Sequence, residues 1–438
     1  MNKSKESKGK EIQIAETHAD FEREKLKIPF GFKGGYLSEL WQTAVRLTSK
    51  SGYSAIGLGT QSVLYGDADL FASWTEAGGN ALMYALTDRA LRMAESISFR
   101  TPVELIQTLL PELREEARRI TGKKDINENF ILNALVGLDN AAWLLYAEEN
   151  NRSTFGSMIP EPYKPALSHQ NGRIGIMFQV SYGMSLDAIR EAVDRGYFII
   201  KIKTGQPGSQ EEMLKKDMRR LSEVHDVLKD RSSTQTPDQN ILYTMDANGR
   251  YENKETLEKF VRHADAIGAL EHILFIEEPL SENNAEDVSD IGVAIAADDS
   301  VHSVEDAKQR IDQGYGVLVL KGIAKTLSVS LTIAKLAHER EIPCVCSDLT
   351  VNPLLVDWHK LLAAHLSPFP GLDMGIMETN GDMNYQNWEQ MRAYHPGGHA
   401  PWTRVTDEGT FVLDEDFYRE SAGIFSPSRH YEQWMSLS

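Results

Sequence analysis

A closed barrel of eight parallel β-strands alternating with α-helices, preceded by a smaller α+β module, is the fold this sequence predicts. Three observations lead there. Eight short apolar runs are separated by amphipathic stretches, nearly every run ends in charge, and 438 residues hold a barrel of roughly 250 residues plus a second module.

The runs are Ile174–Val180, Phe198–Lys203, Ile241–Asp246, Leu274–Glu277, Val293–Asp298, Val317–Lys321, Ile342–Asp348 and Leu372–Met377. Between them lie helical patterns at Glu211–Lys229, Lys254–Ala269, Val304–Gln313 and Ser328–Glu341, with a weak one at Asp287–Gly292. Strand alternating with helix implies a parallel sheet. Charge at the ends is the more telling sign: Lys201 and Lys203, Asp246, Glu277 and Glu278, Asp298 and Asp299, Lys321, Asp348. The C-terminal ends of barrel strands form the catalytic face, so these groups are expected at one mouth. Lys201 and Lys203 share a strand face by the two-residue period, as do Asp246 and Asn248.

Composition sets the outer bounds. Hydrophobic residues at 41% and charged residues at 25% are ample for a large core. A net charge of −18 argues against a nucleic-acid surface, which needs a basic face. No run approaches the roughly 18 apolar residues of a membrane span. The polar start from Met1 to Lys10 is read as a solvated, disordered tail rather than a secretory signal. Only Cys344 and Cys346 occur, too close for an easy disulfide and too few for structural zinc, which suits a reducing cytoplasm.

Three carboxylates from neighbouring strand ends, Asp246, Glu277 and Asp298, make a hard-oxygen set suited to Mg²⁺, with Mn²⁺ able to stand in. Their bland alternative is ion pairing with Lys203 and Lys321. A lysine beside another ammonium and a divalent cation is expected to lose its proton more readily and act as a base. Lys201 supplies that neighbour for Lys203.

These motifs together resemble the enolase superfamily, in its muconate-lactonising-enzyme and mandelate-racemase-like branch. The matching pieces are Lys201-Ile202-Lys203-Thr204-Gly205, Asp246-Ala247-Asn248, Phe275-Ile276-Glu277-Glu278-Pro279, Ala297-Asp298-Asp299-Ser300 and Leu320-Lys321, with Ala134–Trp143 like the helix before the barrel. The resemblance implies a (β/α)7β modified TIM barrel with an N-terminal α+β capping domain. Its boundaries are read as a tail at 1–10, a cap at 11–165, a barrel at 166–386 and a segment at 387–438 that packs back on the cap. The resemblance also makes Asp246, Glu277 and Asp298 the metal ligands, Lys203 and Lys321 an opposed acid/base pair, and Lys201 an electrostatic helper. The cap would meet the substrate through loops near Phe30–Tyr36 and Leu58–Asp69.

Departures from the family pattern are Asp299 where glutamate is usual, Gly322-Ile323-Ala324-Lys325 after Lys321 without a Gly-Gly turn, and an inserted stretch at Lys229–Asn240. Members that epimerise dipeptides carry two aspartates one residue apart on the eighth strand, and here only Asp373 is found. Phe30, Asn248, Asp299, Asp348 and Asp373 are the substrate-contact candidates. Asp348 either meets a substrate ammonium or hydroxyl, or braces its own loop.

The expected activity is abstraction of the α-proton of a Mg²⁺-bound carboxylate to an enediolate, first as a racemase or epimerase. Cycloisomerisation and acid-sugar dehydration are the alternatives on this scaffold. A Schiff-base aldolase using Lys203 or Lys321, and a barrel that only binds its ligand, are the rivals from other classes. The expected partner is a small carboxylate, with no nucleic acid or membrane, and a homo-oligomer is compatible with the reading.

Overall fold

The computed structural model describes residues 9–33 and 35–437. The expected tail at 1–10 falls, for residues 1–8, outside the described residues, and so does Gly34 within the first expected cap loop.

The N-terminal part is built on an antiparallel sheet of β1 (Ile12–Phe32), β2 (Gly35–Ser49), β3 (Ser54–Gln61) and the short β4 (Ser98–Phe99), in the order β3-β2-β1-β4. The β1–β2 hairpin is long, and a bulge between Lys25 and Phe30 bends its tip. The helix Glu128–Glu149 crosses β3 so closely that a Cβ on Gly57 would lie 2.1 Å from the Ala141 nitrogen. Glycine is what permits that approach. Among the described residues this helix alone is long and apolar enough to cross a membrane, and 94% of its most apolar window is buried in the protein.

Eight parallel strands close the barrel: β5 (Arg173–Val180), β6 (Ile199–Lys203), β7 (Leu242–Asp246), β8 (Ile273–Glu277), β9 (Ile295–Ala297), β10 (Val317–Leu320), β11 (Cys344–Cys346) and β12 (Gly375–Glu378). They pair in sequence order, and β12 returns to β5 through Gly375↔Ile174 to Glu378↔Met177. The fold is the modified TIM barrel with an α+β cap that the sequence predicts.

Two segments differ from expectation. No helix forms at Asp287–Gly292. Asn284 and Asp287 accept hydrogen bonds from the backbone N–H groups of Glu286 and Ser289 (both 2.8 Å), and such local bonds compete with a helix. The eighth strand begins at Gly375 rather than Leu372. Pro370-Gly371 turns the chain first, with Gly371 at φ 81° and Leu372 N–H donating to the Phe369 carbonyl at 2.9 Å.

The last stretch touches both halves. A short β13 (Thr410–Val412) pairs antiparallel with the start of β5. The helix Arg429–Leu437 lies on the cap hairpin, where Glu432 meets Arg46 at 3.1 Å and Trp434 Nε1 donates to Asp20 at 3.0 Å. Tyr385 joins the halves by accepting from Gln42 (2.8 Å) and donating to the Thr350 carbonyl.

Candidate active site

At the C-terminal mouth of the barrel, the strand ends and the cap enclose a chamber of about 40 Å³. From the barrel come Gln179, Lys203, Asp246, Asn248, Asp299, Lys321, Ser347, Asp348, Glu378 and Asn380; Phe30, Lys33, Leu37 and Tyr65 come from the cap.

The parallel register explains the grouping. Lys203 pairs with Asp246, and Asp246 with Glu277, so the ends of β6, β7 and β8 lie side by side. Lys201 is fully buried, with its Nζ 2.7 Å from Glu277 Oε2, 2.9 Å from Glu378 Oε2 and 3.3 Å from Asp246 Oδ2. Ser347 Oγ accepts from it at 3.1 Å. Lys203 donates to Asp246 and, at 3.4 Å, to Asn248 Oδ1. Lys321 donates to Asp298 and stands 5.1 Å from the centre of the Tyr65 ring. The ion pairing weighed above as the alternative to a metal site is therefore present.

Electrostatics follow from these contacts. Burial lowers the Lys201 ammonium, but Glu277, Glu378 and Asp246 outweigh it and hold the pKa well above the ordinary lysine value. Lys321 behaves likewise, with Asp298 the leading counter-charge. For both groups the buried acids outweigh the neighbouring ammonium charges. Burial, Asp246 and Asp298 push Glu277 well up, a sign of acids crowded together. Burial opposes ionisation of Asp246, yet Lys203 and Lys201 hold it well below the carboxylate range.

Whether these acids suit a divalent cation is decided by their free oxygens. Asp298 Oδ1 and Glu277 Oε2 are buried without a hydrogen-bond donor, although lysine charges lie near. Among the described residues no three Asp, Glu, His or Cys side chains are gathered into a ready cage. The donor chemistry fits Mg²⁺; closing a cage around it requires the lysines to give way.

Backbone geometry supports the ligand positions. Asn248 and Glu278 have φ of 47° and 40°, in the left-handed region, two residues after Asp246 and one after Glu277. Glu278 Oε2 accepts from Asp298 N (2.7 Å), Ser300 Oγ (3.0 Å) and Ser300 N (3.2 Å), so it fixes the loop that carries Asp298 and Asp299. Burial and Asp299 raise its pKa to about 7.

The remaining candidates divide. Phe30, Asn248, Asp299 and Asp348 line the chamber. Asp348 also braces its loop, accepting from Leu349 N (2.7 Å) and Asn380 N (2.8 Å). Burial and Glu378 raise it to about 7. Asp373 is exposed and precedes β12, at the end of the strand away from the mouth, because the Pro370-Gly371 turn delays the strand. It does not belong to the site.

Glu378 takes the eighth-strand place instead. It accepts from Lys201, Ser347 Oγ (2.6 Å) and Gln179 Nε2 (2.7 Å). Charge at the end of Ile376-Met377-Glu378 is the same signal that marked the other strands, displaced by one residue from the expected end. Lys33 and Tyr65 had no such signal, since cap loops are placed only by the folded chain.

A closed parallel barrel whose mouth gathers acids and lysines under an α+β cap defines the class of fold. Residues 185–387 match the family model for the enolase C-terminal domain-like fold. The barrel of this chain belongs to the enolase superfamily, whose members are enzymes. No curated protein matches the sequence. Similar solved structures include a mandelate racemase/muconate lactonizing protein from Herpetosiphon aurantiacus, at 15% identity and TM-score 0.63, covering 92% of this chain and 96% of the other. A dipeptide epimerase from Cytophaga hutchinsonii, complexed with Mg and D-Ala-L-Val, has 16% identity and TM-score 0.59 over 86% and 88%. An N-succinyl Arg/Lys racemase from Bacillus cereus has 14% identity and TM-score 0.60 over 86% and 89%.

Proposed function

We propose that this chain is a Mg²⁺-dependent racemase or epimerase that removes and returns the proton next to a substrate carboxylate. One observation carries the reading. Lys203 ends β6 and Lys321 follows β10, four strands apart in a closed ring of eight, so they face each other across one chamber. A planar carbon held between them can lose its proton to one lysine and regain it from the other, which inverts the centre.

The other residues have supporting tasks. Asp246, Glu277 and Asp298 would hold the metal. When bound, Mg²⁺ takes over the charge of these acids and adds positive charge beside the substrate carboxylate. Lys201 adds a fixed positive charge at the chamber floor. Phe30, Leu37 and Tyr65 cover the mouth and keep water away. Epimerases and racemases among the similar structures support the choice of reaction, and the small chamber suits a compact carboxylate partner. The polar, acidic chain suits a cytoplasmic enzyme.

The reading is tested with Lys203→Ala and Lys321→Ala in D₂O, using a panel of acid sugars, N-acyl amino acids and dipeptides. Each variant should exchange the α-proton of one stereoisomer only, and the two should differ. If both variants exchange the same isomer, the two-base reading fails.

A further inference from the structure

Lys33 stands in the turn at the tip of the β1–β2 hairpin, at φ 48°. That backbone region favours glycine and strains any other residue. Two glycines follow in the sequence, Gly34 and Gly35, yet the left-handed position just before them carries a lysine. An ammonium is kept there at a cost.

Its surroundings say what it is for. Lys33 and Tyr65 are the two residues that line both the inner chamber and a wide outer cleft of about 990 Å³ between cap and barrel. The ammonium therefore stands between the inner chamber and the outer cleft. It lies 3.0 Å from Asp299 Oδ2, donates to the Tyr65 carbonyl at 3.2 Å and stands 5.2 Å from the centre of the Tyr65 ring. Among the described residues these polar contacts use two of its three N–H groups, which leaves a third for a ligand. The other chamber lysines are committed more deeply: Lys201 to Glu277 and Glu378, Lys203 to Asp246, Lys321 to Asp298. The Asp299 carboxylate shows what kind of group Lys33 accepts. Asp299 also lies in the field of Lys321 and Lys325, so it is not left bare if Lys33 turns to a ligand.

We propose that Lys33 selects a dianionic substrate, binding a second carboxylate at the end away from the reacting carbon, on the side of the chamber that borders the cleft. This rests on the reading of the chamber as a metal-assisted carboxylate site. One carboxylate would lie toward Asp246, Glu277 and Asp298, and the other at Lys33.

The test is calorimetric binding of glutarate and of glutarate monoamide to the full-length protein in saturating Mg²⁺. Wild type should bind glutarate at least about tenfold more tightly, a difference of about 1.4 kcal/mol. Lys33→Met should bring the ratio below about two, and Lys33→Arg should keep most of it. Equal affinities in the wild type, or a preference that survives in Lys33→Met, overturn the role of Lys33 while Mg²⁺-dependent binding of both compounds leaves the proposed function standing. If neither compound binds in a Mg²⁺-dependent way and the exchange panel is silent, both readings fall.

Discussion

Lys201 Nζ and Glu378 Oε2 lie 2.9 Å apart, joining β6 to β12 across the intervening β5. Gln179 on β5 donates to the other Glu378 oxygen at 2.7 Å, so three consecutive strands of the closed barrel converge on one buried carboxylate. Asp246 and Glu277 still neutralise Lys201 if Glu378 loses its charge. Glu378→Gln should then cost about 1.5–3 kcal/mol, the value of a hydrogen bond to a charged group, rather than the larger penalty of a bare buried ammonium. Urea denaturation measures this, and an unchanged midpoint would show that Lys201 is held by the other two acids alone.

The metal assignment gives a prediction independent of turnover. Mg²⁺ should raise the melting temperature, because a ligand bound only by the folded state stabilises it. Asp246→Asn should lose that shift and calorimetric Mg²⁺ binding, with the barrel still folded. EDTA should inactivate wild type, and Mg²⁺ or Mn²⁺ should restore it. Wild-type Mg²⁺ affinity in Asp246→Asn rules out the ligand set.

Much of this site was legible before folding. Strand periodicity placed Lys201, Lys203, Asp246 and Glu277 because each belongs to a regular strand end, where two-residue alternation fixes direction. Asp298 and Lys321 follow their strands by one residue and were equally clear. The eighth strand failed locally: Leu372-Asp373 looks like strand, but the Pro370-Gly371 turn holds it back, and the acid at the mouth is Glu378. Lys33 and Tyr65 lie in the cap loops that the family resemblance brings to the substrate, but no local pattern singles these two residues out within them.

Asp348 has two tasks in the structure, and both should be felt. Asp348→Asn removes an acceptor from Leu349 N or Asn380 N, so the loop after β11 should loosen and the melting temperature fall by a few degrees. If Asp348 also contacts substrate, KM should rise several-fold at neutral pH with Mg²⁺ affinity unchanged. A lower melting temperature with unchanged KM assigns the residue to the loop alone.

The final prediction concerns Asp139, which lies fully buried on the helix Glu128–Glu149. It accepts from Ser328 N at 3.0 Å and from Ser328 Oγ, at the first turn of the barrel helix Leu327–Glu339 that follows the Lys321 loop. Burial raises its carboxyl from 3.8 to about 7, against the opposing hydrogen bonds from Ser328. Because the folded-state value lies above the unfolded one, the folded protein binds this proton more tightly. Its contribution is therefore most favourable below about pH 4, declines as pH rises toward about 7 and is level above that. Asp139→Asn stays neutral throughout and can keep one acceptor toward Ser328. The stability of Asp139→Asn relative to wild type should consequently increase by roughly 2–4 kcal/mol between pH 4 and pH 8. Urea unfolding of both proteins across that range measures the difference. A flat difference would mean that Asp139 is ionised in the folded protein throughout, with the Ser328 bonds at the helix start outweighing its burial.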